Sequence, residues 1–506
     1  MMLAYVSVIL ICIGTYYLIS YYRKRIRYIQ AANALPGPKT YPIIGNTYYL
    51  LQTSFDAQKV SDLLPNLYKL TDIYPSPFRL WIGNKLIIVI SEPDQAKTIL
   101  QSRYCLNKSK LYDIFKPWGG TGLFTAPASE WVRHRKMLTT SFNTNILRVF
   151  CDTFVKQASI FMEKLEHMTN DEIDLNHHLA TCTLDIVYDT LLGINLESQS
   201  NKNNQYAKAV SRLKSIVMHR LRNIFLYSDM IFNLTTLNRE QQKHISYLNS
   251  VAEEVIQKED AKNNLHSIKA EYAKPSKRIF LDILMEASDE GKKFNRKEIL
   301  DEINTMVTAA SDTTAIAMYF TIFMLANFPE IQEKVYEELV EIYGTQDPKT
   351  VPVKFEDLQH MNYLERVIKE TLRLFPVGPI IGRRLDENLQ IGEYILPEGA
   401  EVVIGILYMH RNEKYWPNAL TFDPDRFLPK NMKNIHPYCY IPFSNGPRNC
   451  IGSRYGMMSM KVLISTLLRT FILKVDKRVE INEIKLKLEM MLASCKPLKV
   501  RIEKRN

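Results

Sequence analysis

The chain has 506 residues, of which 46% are hydrophobic and 10% aromatic, and its net charge is +11. That apolar fraction supports a large core and excludes a disordered or fibrous chain, and the basic surplus lacks the aromatic–basic interleaving expected of a nucleic-acid binder. Seven cysteines (Cys12, Cys105, Cys151, Cys182, Cys439, Cys450 and Cys495) are odd in number and form no CxxC pair, which argues against a disulfide framework or a zinc site and for a reducing compartment.

Residues 1–22 carry no charged side chain, and Leu3 to Ile19 is mostly apolar, with Tyr16, Tyr17, Tyr21 and Tyr22 toward one end. A bilayer span needs about 20 such residues with tyrosines at the interface, so residues 1–22 are expected to form a transmembrane signal anchor. Arg23, Lys24, Arg25 and Arg27 follow at once, and by the positive-inside rule they keep the rest of the chain cytosolic. A cleaved signal peptide is the rival. However, no basic residue precedes the apolar run, and the basic cluster lies between that run and the cleavage-like Ala32-Asn33-Ala34. Residues 23–45 join the stop-transfer cluster to a proline-rich hinge, Leu35-Pro36-Gly37-Pro38 to Gly45, read as a stiff extended connector. Residues 46–506 contain no further linker and read as one catalytic domain.

Phe78 to Ile90 predicts two short strands around a Gly83-Asn84 turn. Gly119-Gly120-Thr121-Gly122 lacks a Walker lysine and predicts a flexible loop before a helix carrying Trp131. Apolar residues at i, i+3 and i+4 predict helices over Leu147–Leu165, Leu179–Leu192, Gln241–Lys258, Lys297–Phe328, Glu330–Tyr343 and Phe355–Phe375. Phe225, Leu226, Tyr227, Met230, Ile231 and Phe232 form an apolar cluster that suits either a core helix or a membrane-dipping element. Asp260 to Lys277 is polar and predicts a mobile loop, and a second strand group is expected over Leu389 to Ile406, turning at Pro397-Glu398-Gly399. The fold class is mainly α with a smaller β region.

The most distinctive stretch is Phe443-Ser-Asn-Gly446-Pro-Arg448-Asn-Cys450-Ile-Gly452, followed by an amphipathic segment from Ser453 to Phe471. A cysteine at a helix start is expected to have a lowered pKa, because free N–H groups and the helix dipole favour the thiolate. Such a thiolate can ligate haem iron and favour O–O cleavage. Gly446 and Gly452 give the backbone freedom and room for a flat ligand, Arg448 suits a carboxylate on it, and Phe443 could cover the sulfur.

This stretch resembles the haem-binding signature of the cytochrome P-450 superfamily, the haem-thiolate monooxygenases. Further segments agree in order, from Leu35 to about residue 500. Trp131-Val-Arg-His-Arg135 resembles the family's WxxxR helix, Glu370-Thr-Leu-Arg373 its ExxR helix, and Phe422-Asp-Pro-Asp-Arg426-Phe427 the segment whose arginine joins that pair. Ala309-Ala310-Ser311-Asp312-Thr313-Thr314 resembles the distal oxygen-activation motif. Asn304-Thr305, Asp312-Thr313-Thr314 and Asn327-Phe328-Pro329-Glu330-Ile331-Gln332 look most like the animal, and especially insect, family-four branch.

The resemblance implies the cytochrome P-450 fold behind the anchor, with non-covalent haem b ligated by Cys450. It implies haem contacts from Trp131, Arg135, Arg383, Phe443, Gly446, Arg448 and Gly452. A structural triad of Glu370, Arg373 and Arg426 follows, together with Thr313 and Asp312 for dioxygen protonation. It also implies NADPH electrons from a membrane-bound cytochrome reductase, with cytochrome b5 as a further donor left open. The expected localisation is the endoplasmic reticulum membrane, with the catalytic domain facing the cytosol. The substrate would be a lipophilic small molecule: a fatty acid, hormone, odorant or xenobiotic. Two departures stand out. The family usually has glycine where this chain has Ala310, and several fatty-acid hydroxylases of the branch carry a haem-esterified glutamate where it has Ala309. The alternatives are a haem-thiolate peroxide isomerase or dehydratase, and a non-enzymatic haem protein that binds lipophiles.

Overall fold

The computed structural model describes residues 2–48, 60–169, 171–201, 204–268, 280–289 and 294–505, with side chains left undescribed at 2–5, 8–9, 60–63, 224, 262–268 and 286–289. Helix α10, Arg296–Asn327, is the mostly buried helix at the centre of the body, and its sequence fixes both ends. Asn295 and Glu298 form a reciprocal capping box at the start. At the end Phe328 precedes Pro329, which disfavours helical backbone at the residue before it.

In chain order the other main helices are α1 (Met2–Ala34), α2 (Val60–Ile73), α3 (Pro93–Gln101), α4 (Ala128–Leu138), α5 (Thr144–Glu166) and α6 (Asn176–Leu192). They continue with α7 (Gln205–Arg222), α8 (Thr236–Ile268), α9 (Phe280–Asp289), α11 (Pro329–Tyr343), α12 (Asn362–Leu374) and α13 (Ser453–Thr470). Helices α6 and α13 pack against α10 and α5 packs on both of them, and Leu, Ile, Phe and Met side chains of these four are part of the largest buried cluster.

The main sheet has the order β1-β2-β7-β4, built from β1 (Phe78–Ile82), β2 (Lys85–Ile90), β4 (Ile380–Arg384) and β7 (Glu401–Gly405). β2 and β7 run parallel, and Ile88 and Ile90 pair with Val402 and Ile404 in a second core of buried aliphatic residues. The remaining strands, β3 (Glu172–Asp174), β5 (Leu389–Ile391), β6 (Tyr394–Leu396), β8 (Phe471–Lys474), β9 (Leu486–Leu488), β10 (Leu492–Ser494) and β11 (Lys499–Lys504), make three small sheets. The fold is thus mainly helical with a smaller sheet region.

The basic cluster at 23–27 lies within helix α1, because no proline or glycine interrupts the chain between Gly14 and Pro36. The end of α1 packs on the main sheet: Arg25 lies 5.4 Å over the rings of both Tyr28 and Trp81, Lys24 pairs with Glu398 at 3.0 Å, and Ala32 and Leu35 are buried. The expected loop from Asp260 is helical as far as Ile268, and its residues 269–277 lie outside the described residues. Among the described residues, the helix long and apolar enough to cross a bilayer is α10, and it is mostly buried inside the body.

The apolar cluster before α8 is not buried as a whole. Phe232 is buried, whereas Phe225, Met230, Ile231 and Leu234 are exposed.

Candidate active site

The cysteine loop is held by its own backbone. Cys450 N–H donates to the Phe443 carbonyl at 2.9 Å, and Asn449 N–H to the Gly446 carbonyl at 3.1 Å. Gly446 has φ of 75°, and a Cβ there would lie 2.1 Å from the Leu100 carbonyl oxygen, so the position requires glycine. Gly446 therefore faces α3 and not the cavity. Gly452 caps α13, and a Cβ on it would meet no atom within 4 Å.

Burial pushes the Cys450 thiol up, more than the Gly452 N–H and the charges of Arg135 and Lys108 pull it down. That is opposite to the expected direction, because at this depth desolvation outweighs the helix start. The thiol is exposed, but to a chamber inside the protein.

That chamber, of about 310 Å³, lies between the cysteine loop and α10. Phe443, Cys450 and Gly452 line one side, and Ala309, Ala310 and Thr313 line another. A second chamber of about 370 Å³ shares Lys108, Phe124, Thr305, Ala309, Thr313 and Ile381 with the first, so the two are contiguous. Its walls are mostly apolar, with Tyr112, Phe115 and Phe124 packed edge-on or tilted and Met218, Met490 and Met491 beyond them. The glycine cluster is not a free loop. Thr121 N–H donates to Asp301 of α10 at 2.9 Å, and Cβ atoms at Gly120 and Gly122 would strike Asp301 and Thr305.

Trp131, Arg135 and Arg448 line the first chamber, with the Arg448 guanidinium 4.6 Å over the Trp131 ring. Arg448 donates to the carbonyls of Leu106, Leu123 and Ala126, and Arg135 to the Asn449 carbonyl and Oδ1. Arg383 is buried behind the wall and donates to the Gly382 carbonyl at 2.9 Å. Lys108 projects at the junction of the two chambers with its ammonium over Tyr112 and Phe124. Among the described residues none of these four cations has a carboxylate partner. Burial lowers the pKa of each, Arg448 to about 9. A chamber with a thiol on one wall, an open face at Gly452 and unneutralised cations around it fits a flat ligand bearing carboxylates, as haem b does.

Thr313 reaches the chamber while donating to the Ala309 carbonyl at 2.6 Å, and Ser311 and Thr314 make the same i−4 bond. Asp312 turns the other way and pairs with Lys214 of α7 at 2.9 Å. The structure therefore separates the two residues that sequence reading grouped. It brings the other three together: Arg373 grips Glu370 through Nε at 2.7 Å and Nη2 at 2.8 Å, and Arg426 Nε lies 3.4 Å from Glu370. His410 is held structurally, its Nε2 accepting from Ile441 N–H at 2.9 Å. Sequence reading missed the buried contact of His134 with Glu302 and that of Tyr455 with Thr190, because each joins residues far apart in the chain.

A helical body, a cysteine loop ahead of a helix and a chamber under a long distal helix define a haem-thiolate oxidoreductase. The model described as Cytochrome P450 matches residues 35–502, and the chain belongs to that family. It is 35% identical over 480 residues to "Cytochrome P450 4c3" of Drosophila melanogaster, covering 92% of this chain and 89% of that protein. It is similar to "Cytochrome P450 4c21" of Blattella germanica, with 35% identity over 93% of each chain. Human "Cytochrome P450 4V2" is 34% identical over 85% of this chain and 82% of its own. These relatives agree with the family-four resemblance, and membership makes the protein a haem-thiolate monooxygenase with cysteine-ligated haem b.

Proposed function

We propose that this enzyme inserts one oxygen atom of dioxygen into a lipophilic small molecule, with NADPH electrons delivered by a membrane-bound reductase. The carrying observation is that the Cys450 thiol and the Ala309–Thr313 stretch of α10 face one chamber that opens into a largely apolar one. Haem b, held by Cys450, would supply dioxygen activation. Cys450 would hold the haem iron through its thiolate, with Phe443 and Gly452 beside it on the chamber wall. Trp131, Arg135 and Arg448, with Arg383 behind them and Lys108 opposite, supply positive charge for the cofactor's carboxylates. Gly446 keeps the cysteine loop closed against α3, and the Glu370–Arg373–Arg426 triad holds the fold behind it.

Thr313 offers a hydroxyl at the chamber wall. Asp312, one residue earlier and paired with Lys214, would take protons from the side away from the chamber. Ala309 has no carboxyl, so no side-chain ester to haem can form there, and the wall stays smooth toward the substrate. Met218, Met490 and Met491 adapt to varied apolar shapes. Residues 1–22 serve as the anchor in the endoplasmic reticulum membrane. The exposed Phe225, Met230, Ile231 and Leu234 meet the bilayer surface, from which an apolar substrate enters.

Cys450→Ser tests the assignment directly. The full-length variant should lose the thiolate-type absorption of the reduced carbon-monoxide complex and all NADPH-driven turnover. An unchanged spectrum would mean that another residue is the ligand. Turnover by wild type that needs hydroperoxide and ignores NADPH would support the isomerase reading instead.

A further inference from the structure

Three consecutive residues of α4 tie it to α10 and to the cysteine loop, and the Nε2 of the middle one, His134, lies 3.1 Å from Arg133 Nη2 and 3.6 Å from Glu298 Oε1. Arg133 pairs with Glu298 in the first turn of α10. His134 is fully buried, with Nδ1 2.6 Å from Oε1 of the equally buried Glu302. Arg135 donates to the main-chain oxygen of Asn449 at 2.8 Å and to its Oδ1 at 2.7 Å. Asn449 is the residue before Cys450. Glu298 and Glu302 are four apart and share one face of α10. Phe294 closes the space beside the imidazole, its ring 4.8 Å away and edge-on. A single turn of α4 is thus clamped to the distal helix on one side and to the cysteine loop on the other.

A hydrogen bond between a buried imidazole and a buried carboxylate fixes distance and angle, which apolar packing does not. The quantity it fixes here is the seat of Arg135. Hydrogen bonds and charge around a ligating sulfur tune how strongly it donates to the metal. A cation held firmly beside the loop withdraws density from the sulfur, and a loosened one withdraws less.

We infer that His134, through its buried bond to Glu302, positions Arg135 against Asn449 and thereby sets the electron donation of the Cys450 thiolate. His134 touches neither chamber, so it is a positioning residue and not a catalytic one. The inference rests on Cys450 as the iron ligand.

The test is the ferric/ferrous midpoint potential of the full-length holoprotein, with the reduced carbon-monoxide spectrum recorded beside it. His134→Phe keeps a ring of similar size and removes the bond. Its midpoint should move to more negative potential while the thiolate spectrum is retained. His134→Gln, whose amide can still donate to Glu302, should restore much of the wild-type value. Glu302→Leu should reproduce the shift, and the double variant should shift no further than either single one. An unmoved potential in His134→Phe, or additive shifts in the double variant, would overturn the inference.

If His134→Phe fails to hold haem, amide hydrogen exchange across residues 445–452 of the apoprotein decides. Faster exchange than in wild-type apoprotein supports the inference, and equal exchange refutes it. Absence of the thiolate spectrum in wild type would instead sink the assignment of Cys450, so the two failures are distinguishable.

Discussion

His410 shows how much one buried side chain can commit the molecule to a pH range. It has no exposed surface, and the Ile441 amide donates to its Nε2, which requires a ring unprotonated at that atom. Burial, and then the charge of Arg373, lowers its pKa from 6.5 to about 3. Below pH 6.5 the unfolded chain takes up a proton at this site and the folded one does not. The contribution to stability is therefore complete above 6.5 and is lost as pH falls toward 3, by up to about 1.4 kcal/mol per pH unit. His410→Gln keeps an acceptor for the Ile441 amide and removes the titration. Thermal unfolding between pH 7 and 5, a range chosen to start above the ordinary histidine value, should show a steeper fall in wild type than in this variant. Parallel curves would place the acid sensitivity elsewhere. Nothing local in the sequence reveals this role, because what fixes His410, the Ile441 amide, is remote in the chain.

Between elements, the Glu370 cluster joins α12 to the segment Thr421–Phe427. Glu370 and Arg373 have no exposed side-chain surface, and Glu370 also accepts from Asp423 N–H at 3.0 Å. Arg426 is 12% exposed, and its terminal nitrogens donate to the carbonyls of Pro417 and Asn418. Removing one member of a buried pair leaves the other charge without compensation, which costs about 3–5 kcal/mol. Glu370→Ala should therefore lower the melting temperature and the haem content far more than Arg426→Lys, which leaves the buried pair intact. Equal losses would show that the three act as one unit and not as a pair with a partner.

Helical period made α5, α6, α10, α11 and α13 legible, and motif spacing made Cys450 and the triad legible. It failed where a distant residue sets the boundary. The expected helix Phe355–Phe375 is split, since Glu338 of α11 caps a fresh start through the amides of Tyr363 and Leu364. Strand β11 pairs with β3 as Val500 against Ile173, a match that no local pattern encodes. Lys108 gave no signal either, because a lysine in a loop reads as solvated until Tyr112 and Phe124 are seen around it.

For the whole molecule, the question is what α1 does for the body it precedes. Its exposed apolar side chains, among them Leu10, Ile11 and Leu18, lie before the basic cluster. Its packing on the main sheet lies after it, through Arg25, Tyr28, Ala32 and Leu35. One unbroken helix therefore has an exposed apolar half and a half packed on the body, and two truncations separate them. Removing residues 2–22 should release the protein from membranes in alkaline carbonate while leaving the melting temperature unchanged, because the Tyr28–Trp81 contact and the buried Leu35 remain. Removing residues 2–35 should release it equally but lower the melting temperature, since Trp81 and the face of the β1–β2 hairpin lose their cover. Burying one leucine stabilises by about 1.5–3 kcal/mol, and loss of the aromatic contact adds about 0.5–1.5 kcal/mol. If full-length protein itself leaves the membrane in carbonate, residues 1–22 do not span it. If both truncations melt alike, the second half of α1 braces nothing, and the orientation of the body at the bilayer must be set by the exposed cluster around Met230 and Leu234 instead.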